Sequence, residues 1–274
     1  MEKTQPKISF NCTREEYDSS DGINWSKLKD MDVPALAKHK IKNPAPVTQA
    51  MILGALVDCL VTQSDLFDSQ FAIRPGEYSS YRTLDSKLWK NEIELQGLTA
   101  ITQDDYDSAR RITDAINMHP EAGEILGGPG EGQCAVEWTD DRHPVLCRGL
   151  IDWLRLDGGF VELKTTTAED WDGFSRRAYN FKYHGQVAFY NKGLEMVGRS
   201  NLGNTRIIVV MQSPPHLVQC FQPSFRFMDA GNRLVDRMID AWTKWSSVSG
   251  DWVEYPSQTP ILDLPEWAYK EVVL

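Results

Sequence analysis

None of the five cysteines (Cys12, Cys59, Cys134, Cys147 and Cys220) stands in a C-x-x-C pair, and their number is odd. That argues against a zinc ribbon, a disulfide framework or an iron–sulfur clamp, and buried free thiols are the simplest expectation. No G-x-x-x-x-G-K-[ST] run is present, so the chain carries no P-loop ATP motor. No apolar stretch approaches the roughly 18 uninterrupted residues of a membrane span. The opening Met1-Glu2-Lys3-Thr4-Gln5-Pro6-Lys7 is not followed by the apolar core of a secretory signal, and a cytoplasmic protein is expected. An excess of positive charge is also lacking. The formal charge of −10 argues against a protein whose whole surface coats nucleic acid, while leaving room for a local basic groove.

What is there is an ordinary globular composition, with 41% apolar residues over 274 positions. No repeat, low-complexity tract or clean linker divides the chain, which predicts a single domain over 1–274, mainly helical over 1–130 and built on strands and a final helix over 131–274. Tyr17 to His39 reads as a preface in which a helix opening at Ser26-Lys27-Leu28-Lys29 is interrupted by Val33-Pro34. Thr48 to Val61 has almost no polar face and predicts a buried helix, with Asp58 an acid inside it that needs a reason. Residues Tyr81 to Glu124 are mostly helical, with a helix entry at Ile101-Thr102-Gln103-Asp104-Asp105, and Gly127 to Gly132 marks a loop. Cys134 to Trp138, Val145 to Leu154 and Phe160 to Thr165 predict three consecutive antiparallel strands. A helix over Tyr183 to Met196, a hairpin broken by Ser213-Pro214-Pro215 and a long amphipathic helix over Phe225 to Ser246 follow. That order is an α/β (α+β) architecture with a central mixed sheet flanked by helices and a helical N-terminal portion.

On an extended strand residues i and i+2 share a face, so Glu162 and Lys164 look into one site while Leu163 faces away. Asp157-Gly158-Gly159 is a hairpin turn that brings Asp152 alongside them. Two carboxylates beside a lysine suit Mg²⁺ or Mn²⁺ and the attack of water on a phosphodiester. In that arrangement Asp152 and Glu162 bind metal with the Leu163 carbonyl completing the shell, and Lys164 orients or deprotonates the water and stabilises charge on phosphorus. The triplet alone is common, and a surface hairpin with a cross-strand ion pair would look the same. Gln186 and Tyr190 are spaced to share one helical face and to reach the hairpin, or to form a polar edge on a core-facing helix. For Asp58 a metal role and a buried carboxylate that caps or pairs with an arginine stand evenly. Arg148, Arg155, Arg176, Arg177 and Lys182 lie among aromatic residues around the hairpin, and Arg148, Arg176, Arg177 and Lys182 are candidate DNA contacts. Glu137 matches no motif; His39, His119, His143 and His216 are isolated, His184 reads as a structural or DNA-backbone contact, and Ser26 and Ser175 lack a triad context.

The order Gly54-x-x-x-Asp58, Gly149-x-x-Asp152, Glu162-x-Lys164, Gln186-x-x-x-Tyr190 resembles the PD-(D/E)XK nuclease superfamily, in its RecB-like branch, and within that the RecE-type phage exodeoxyribonuclease VIII. Gly22-Ile23-Asn24-Trp25-Ser26-Lys27-Leu28-Lys29 resembles the opening segment of that group, and Gly250-Asp251-Trp252-x-x-Tyr255 with Leu264-Pro265-x-Trp267-Ala268 its closing motif. The resemblance implies a Mg²⁺-dependent exonuclease, with Mn²⁺ as substitute, acting on linear double-stranded DNA from 5′ ends. It would leave 3′ single strands for a phage-type annealing recombinase, as a homo-oligomeric ring in a bacterial cytoplasm. It also assigns Asp152 and Glu162 as metal acids, Lys164 as the catalytic lysine, and Gln186 and Tyr190 as the helix motif. One departure is Asp58, where the family commonly has histidine. The alternatives are a PD-(D/E)XK endonuclease of restriction or junction-resolving type, and a silent nuclease-fold DNA-binding module. Iron–sulfur members of the branch are excluded because no cysteine follows Cys220.

Overall fold

Alternating apolar residues after the glycine-rich segment give the three antiparallel strands the pattern predicts, and two further strands complete the far side of the sheet. The computed structural model describes residues 5–78, 80–253 and 262–263. In chain order the first elements are β1 (Lys7–Ser9), α1 (Arg14–Ser19), α2 (Trp25–Leu28), α3 (Pro34–Lys42), α4 (Gln49–Thr62), α5 (Phe67–Gln70), β2 (Phe71–Ile73), α6 (Leu84–Leu95), β3 (Thr99–Ile101), α7 (Gln103–Met118) and α8 (Pro120–Gly127). The second half holds β4 (Gly130–Thr139), β5 (Leu146–Arg155), β6 (Phe160–Thr166), α9 (Trp171–Asn180), α10 (Tyr183–Met196), β7 (Arg206–Met211), β8 (Val218–Phe221) and α11 (Phe225–Ser246).

The main sheet has the order β1-β4-β5-β6-β7-β8 and is antiparallel except for the parallel pair β6/β7, whose crossover carries α9 and α10. Period-2 alternation divides the apolar side chains between two cores. Phe160, Ile207 and Val209 join α10 and α11 through Val187, Phe189, Leu194, Val235 and Met238 on one side. Val161, Leu163, Ile208 and Val210 join α4, α7 and α8 through Leu56, Val57, Ile112, Ile116 and Ala122 on the other. The result is helices on both faces of a mixed sheet. Among the described residues no helix is long and apolar enough to cross a membrane.

Several local expectations change. The segment expected as a preface is part of the core: Ile23, Trp25, Leu28 and Met31 are buried, and Ile23 exchanges backbone hydrogen bonds with Leu146 and Arg148 at the start of β5. Pro34 begins α3 at its first turn, where a missing N–H costs nothing, instead of interrupting a helix. The glycine-rich run is strand from Gly130 onward, and β2 and β3 form a small parallel pair that three-residue runs gave no signal for. The helix entry at Thr102 is a capping box with Asp105. In the closing motif Trp252 is buried edge-on against Trp242, while Tyr255 and 264–268 lie outside the described residues.

Trp25 lies across α10 at Gly185, where an added Cβ would fall 2.2 Å from the indole ring. Gly185→Ala is therefore expected to destabilise the protein by about 1–3 kcal/mol through overpacking, seen as a lower Tm. An unchanged Tm would mean the N-terminal segment is not seated on α10 as described.

Candidate active site

The turn after β5 forms as its residues dictate: Gly158 takes a φ of +82°, and the Asp157 carboxylate accepts from the Gly159 amide (3.0 Å) and from Arg155 (2.8 Å). The β5/β6 ladder then runs for only two pairs, Leu154 with Phe160 and Trp153 with Val161. Beyond them the strands part, and the Asp152 side chain accepts the Leu163 N–H at 2.7 Å in place of a strand partner. Because N–H and C=O of one strand residue leave on the same side, the Leu163 carbonyl points along the edge that Asp152 occupies.

Into this opening come side chains from both helical layers. Glu162 is 1% exposed, and its Oε1 accepts from the Lys164 ammonium on the same face of β6. The Tyr183 ring, at the start of α10, stacks on that ammonium with its centroid 5.1 Å away. Gln186 donates to the Tyr190 hydroxyl at 3.1 Å, as the i, i+4 spacing allows. Tyr190 packs on β5 at Gly149, where an added Cβ would fall 2.7 Å from its ring, so the glycine of Gly149-x-x-Asp152 makes room for the tyrosine. From the opposite layer α4 delivers Asp58, whose Oδ2 accepts from Gln133 at 2.7 Å.

The electrostatics are those of crowded anions in a dry place. Burial, then the Asp152 carboxylate, pushes Glu162 up to about 8, against the pull of Lys164. Burial raises Asp58 well above the carboxylate range, and Asp152 and Glu162 add to it. Burial raises Asp152 too, opposed by Lys164 and the Leu163 amide. Burial alone would lower Lys164, yet Glu162 and Asp152 hold it above its ordinary value. Tyr190 is raised well above the phenol range by burial and by Glu162.

Two carboxylate oxygens here, Asp58 Oδ1 and Glu162 Oε2, are shut from solvent without a hydrogen-bond partner. Buried acids are normally paired or coordinate metals, and a cation bound here would give both oxygens a partner. All donors are hard oxygens, the set that Mg²⁺ and Mn²⁺ take. Glu162 is turned onto Lys164 and Asp152 onto the Leu163 amide, and among the described residues no three acids, histidines or cysteines close into one ligand cluster.

The sequence-derived candidates thus separate. Asp58, Asp152, Glu162, Lys164, Gln186 and Tyr190 are brought together, and the alternative of an arginine partner for Asp58 is corrected: its partner is Gln133. Arg148 is not a DNA contact, being 2% exposed. Its guanidinium bonds the Tyr17 and Ser20 carbonyls and the Ser20 hydroxyl (2.7 Å) and stacks on the Tyr17 ring, which locks the N-terminal segment onto β5. Lys182 is likewise occupied, bonding the Lys29 carbonyl and the Asp32 carboxylate. Arg176 and Arg177 remain exposed on α9. Glu137 pairs with Lys7 across β1/β4 (3.2 Å) and takes no part. Sequence reasoning missed Tyr183, Gln133 and Lys29. The last is a half-buried lysine whose ammonium has no partner among the described residues, and burial, with Lys40, Lys164 and Lys182 nearby, lowers it despite Asp30.

Helices on both faces of a mixed sheet, with acids and a lysine where two strands part, define a PD-(D/E)XK-type fold. The chain belongs to the family described as PDDEXK-like domain of unknown function (DUF3799), which matches residues 25–249. Its fold is shared with a crystal structure from Eubacterium rectale described as a "putative exonuclease". That structure is 13% identical, with a TM-score of 0.61 over 97% of this chain and 99% of the other. No curated protein matches the chain.

Proposed function

We propose that the protein is a metal-dependent exodeoxyribonuclease that degrades linear double-stranded DNA, 5′ to 3′, leaving 3′ single strands for phage-type recombination. The observation that carries the nuclease part is the pair of buried, partnerless oxygens, Asp58 Oδ1 and Glu162 Oε2, beside Asp152 and the Lys164 ammonium. Bound Mg²⁺, or Mn²⁺ in its place, would supply a lowered water pKa and neutralisation of phosphate charge. Asp58, Asp152, Glu162 and the Leu163 carbonyl are the residues that would hold it.

The chain's own groups do the rest. Lys164, kept protonated by Glu162 and Asp152, is a donor: it orients the attacking water and offsets charge developing on phosphorus, and it does not take the proton. The Tyr183 ring and Glu162 fix its position from two sides. Gln186 donates to the Tyr190 hydroxyl, and burial beside Glu162 keeps that hydroxyl un-ionised. Lys29, with no ammonium partner among the described residues, and the exposed Arg176 and Arg177 are candidates to meet backbone phosphates. Digestion from ends, the ring-shaped homo-oligomer and the annealing recombinase as partner rest on the resemblance of the motif series, and the exonuclease description of the structural relative supports the first of them.

A digestion assay with linear and covalently closed circular forms of one duplex tests the reading. Mg²⁺-dependent loss of the linear form alone is expected. Cutting of the closed circle would replace exonuclease by endonuclease, and no digestion of either would remove the nuclease assignment.

A further inference from the structure

Within β4, Gly132 pairs with Trp153 and Cys134 with Ile151 of β5, and the pair between them, Gln133 with Asp152, is missing from the ladder. The cause is the Gln133 backbone, whose φ of +46° lies in the left-handed region. Among the described residues three other non-glycine residues have positive φ (Asn11, Lys182 and His216), all outside strands. A left-handed residue in mid-strand is strained and persists where its surroundings over-determine it, which happens mostly at functional sites.

Here the determinants are visible. The Gln133 carbonyl accepts from the Cys12 amide at 3.0 Å, anchoring the distorted backbone from the N-terminal side. Its carboxamide Nε2 reaches across to α4 and donates to Asp58 Oδ2 (2.7 Å) and, more weakly, to Thr62 Oγ1 (3.4 Å). Thr62 Oγ1 in turn donates to the Asp58 carbonyl at 2.8 Å, closing a ring of hydrogen bonds around that turn of the helix. One carboxylate oxygen is thereby used up, and the other, Oδ1, is left buried and partnerless beside the remaining acids.

We propose that Gln133 is a positioning residue which holds Asp58 by Oδ2 so that Oδ1 is the oxygen offered to the cation. The inference rests on the metal-dependent reading above and deepens it. The chemistry asks for a neutral donor at this place: a carboxylate would add a further anion to the crowd, and an apolar residue would leave both Asp58 oxygens without a partner. It also gives Asp58 its fixed orientation from outside the cation's own ligands.

The test is Mn²⁺ titration of the full-length protein by isothermal calorimetry, on the wild type, Gln133→Gly, Asp58→Ala and the double variant. Glycine accepts the left-handed backbone without strain, so the first variant deletes the amide and spares the fold. Gln133→Asn, which also tolerates that backbone but is one methylene too short to reach Asp58, is the second variant should the glycine loosen β4. Either change is expected to weaken Mn²⁺ binding roughly 10- to 100-fold with an unchanged circular dichroism spectrum. Because Gln133 acts through Asp58, the double variant is expected to bind no more weakly than Asp58→Ala. Wild-type affinity in both Gln133 variants, or losses that add in the double variant, would overturn the positioning role while leaving Asp58 as a ligand. Undiminished affinity in Asp58→Ala would overturn the ligand assignment and this inference with it.

Discussion

Lys164→Ala is expected to lower duplex hydrolysis at least about a thousandfold while leaving Mn²⁺ and DNA binding largely intact. The ammonium is sandwiched between Glu162 and the Tyr183 ring, and Glu162 and Asp152 hold it protonated. Its loss removes the donor that offsets developing charge and frees the second Glu162 oxygen, which is a gain for a cation and a loss for the reaction. Lys164→Arg is not expected to restore the rate, since a planar fork does not replace a point charge in a space shaped for an ammonium. Single-turnover digestion of an end-labelled duplex, with fluorescence anisotropy for DNA binding, checks both statements. Activity within tenfold of wild type in Lys164→Ala would remove this lysine from the chemistry.

With divalent cations chelated, thermal stability is expected to fall as pH rises from about 4.5 to about 8. Burial and neighbouring acids raise Glu162 from 4.5 to about 8, and Asp58 and Asp152 move in the same direction. A carboxyl whose pKa is higher folded than unfolded binds its proton more tightly in the native state. Its contribution is therefore complete below the unfolded value and lost as pH climbs through the folded one. Mn²⁺ reverses this by binding the ionised form, so the rise in Tm on adding it is expected to be large at pH 8 and near zero at pH 5. Asp58→Asn removes a buried acid crowded by Asp152 and Glu162; in chelator at pH 8 its Tm is expected to exceed that of the wild type, with a smaller response to Mn²⁺. Differential scanning fluorimetry across this pH range decides it, and a Tm that climbs toward pH 8 in chelator would contradict the crowding of these buried acids.

Much of this was legible in the sequence for identifiable reasons. Period-2 alternation and the Asp157-Gly158-Gly159 turn specified the hairpin that carries Asp152, Glu162 and Lys164, and the 3.6-residue period specified α10 with Gln186 and Tyr190 on one face. Local patterns could not say what long-range contacts would claim. Arg148 and Lys182 look like free cations in the chain, yet carbonyls and a carboxylate more than a hundred residues upstream occupy them. Trp25 and Leu28 sit in a polar-looking stretch and still belong to the core, because α10 offers Gly185 to receive the indole. Gln133 escaped notice for a subtler reason. Continuing the register set by Thr139 opposite Leu146 places it across from Asp152, but a strand taken to begin at Cys134 stops one residue short.

The assignment of the site is tested most directly by anomalous diffraction from crystals of the full-length protein soaked in Mn²⁺. A peak is expected among Asp58, Asp152 and Glu162, on the side of Glu162 Oε2, with Lys164 still held by Oε1. No peak there, or one confined to acids elsewhere on the surface, would contradict it.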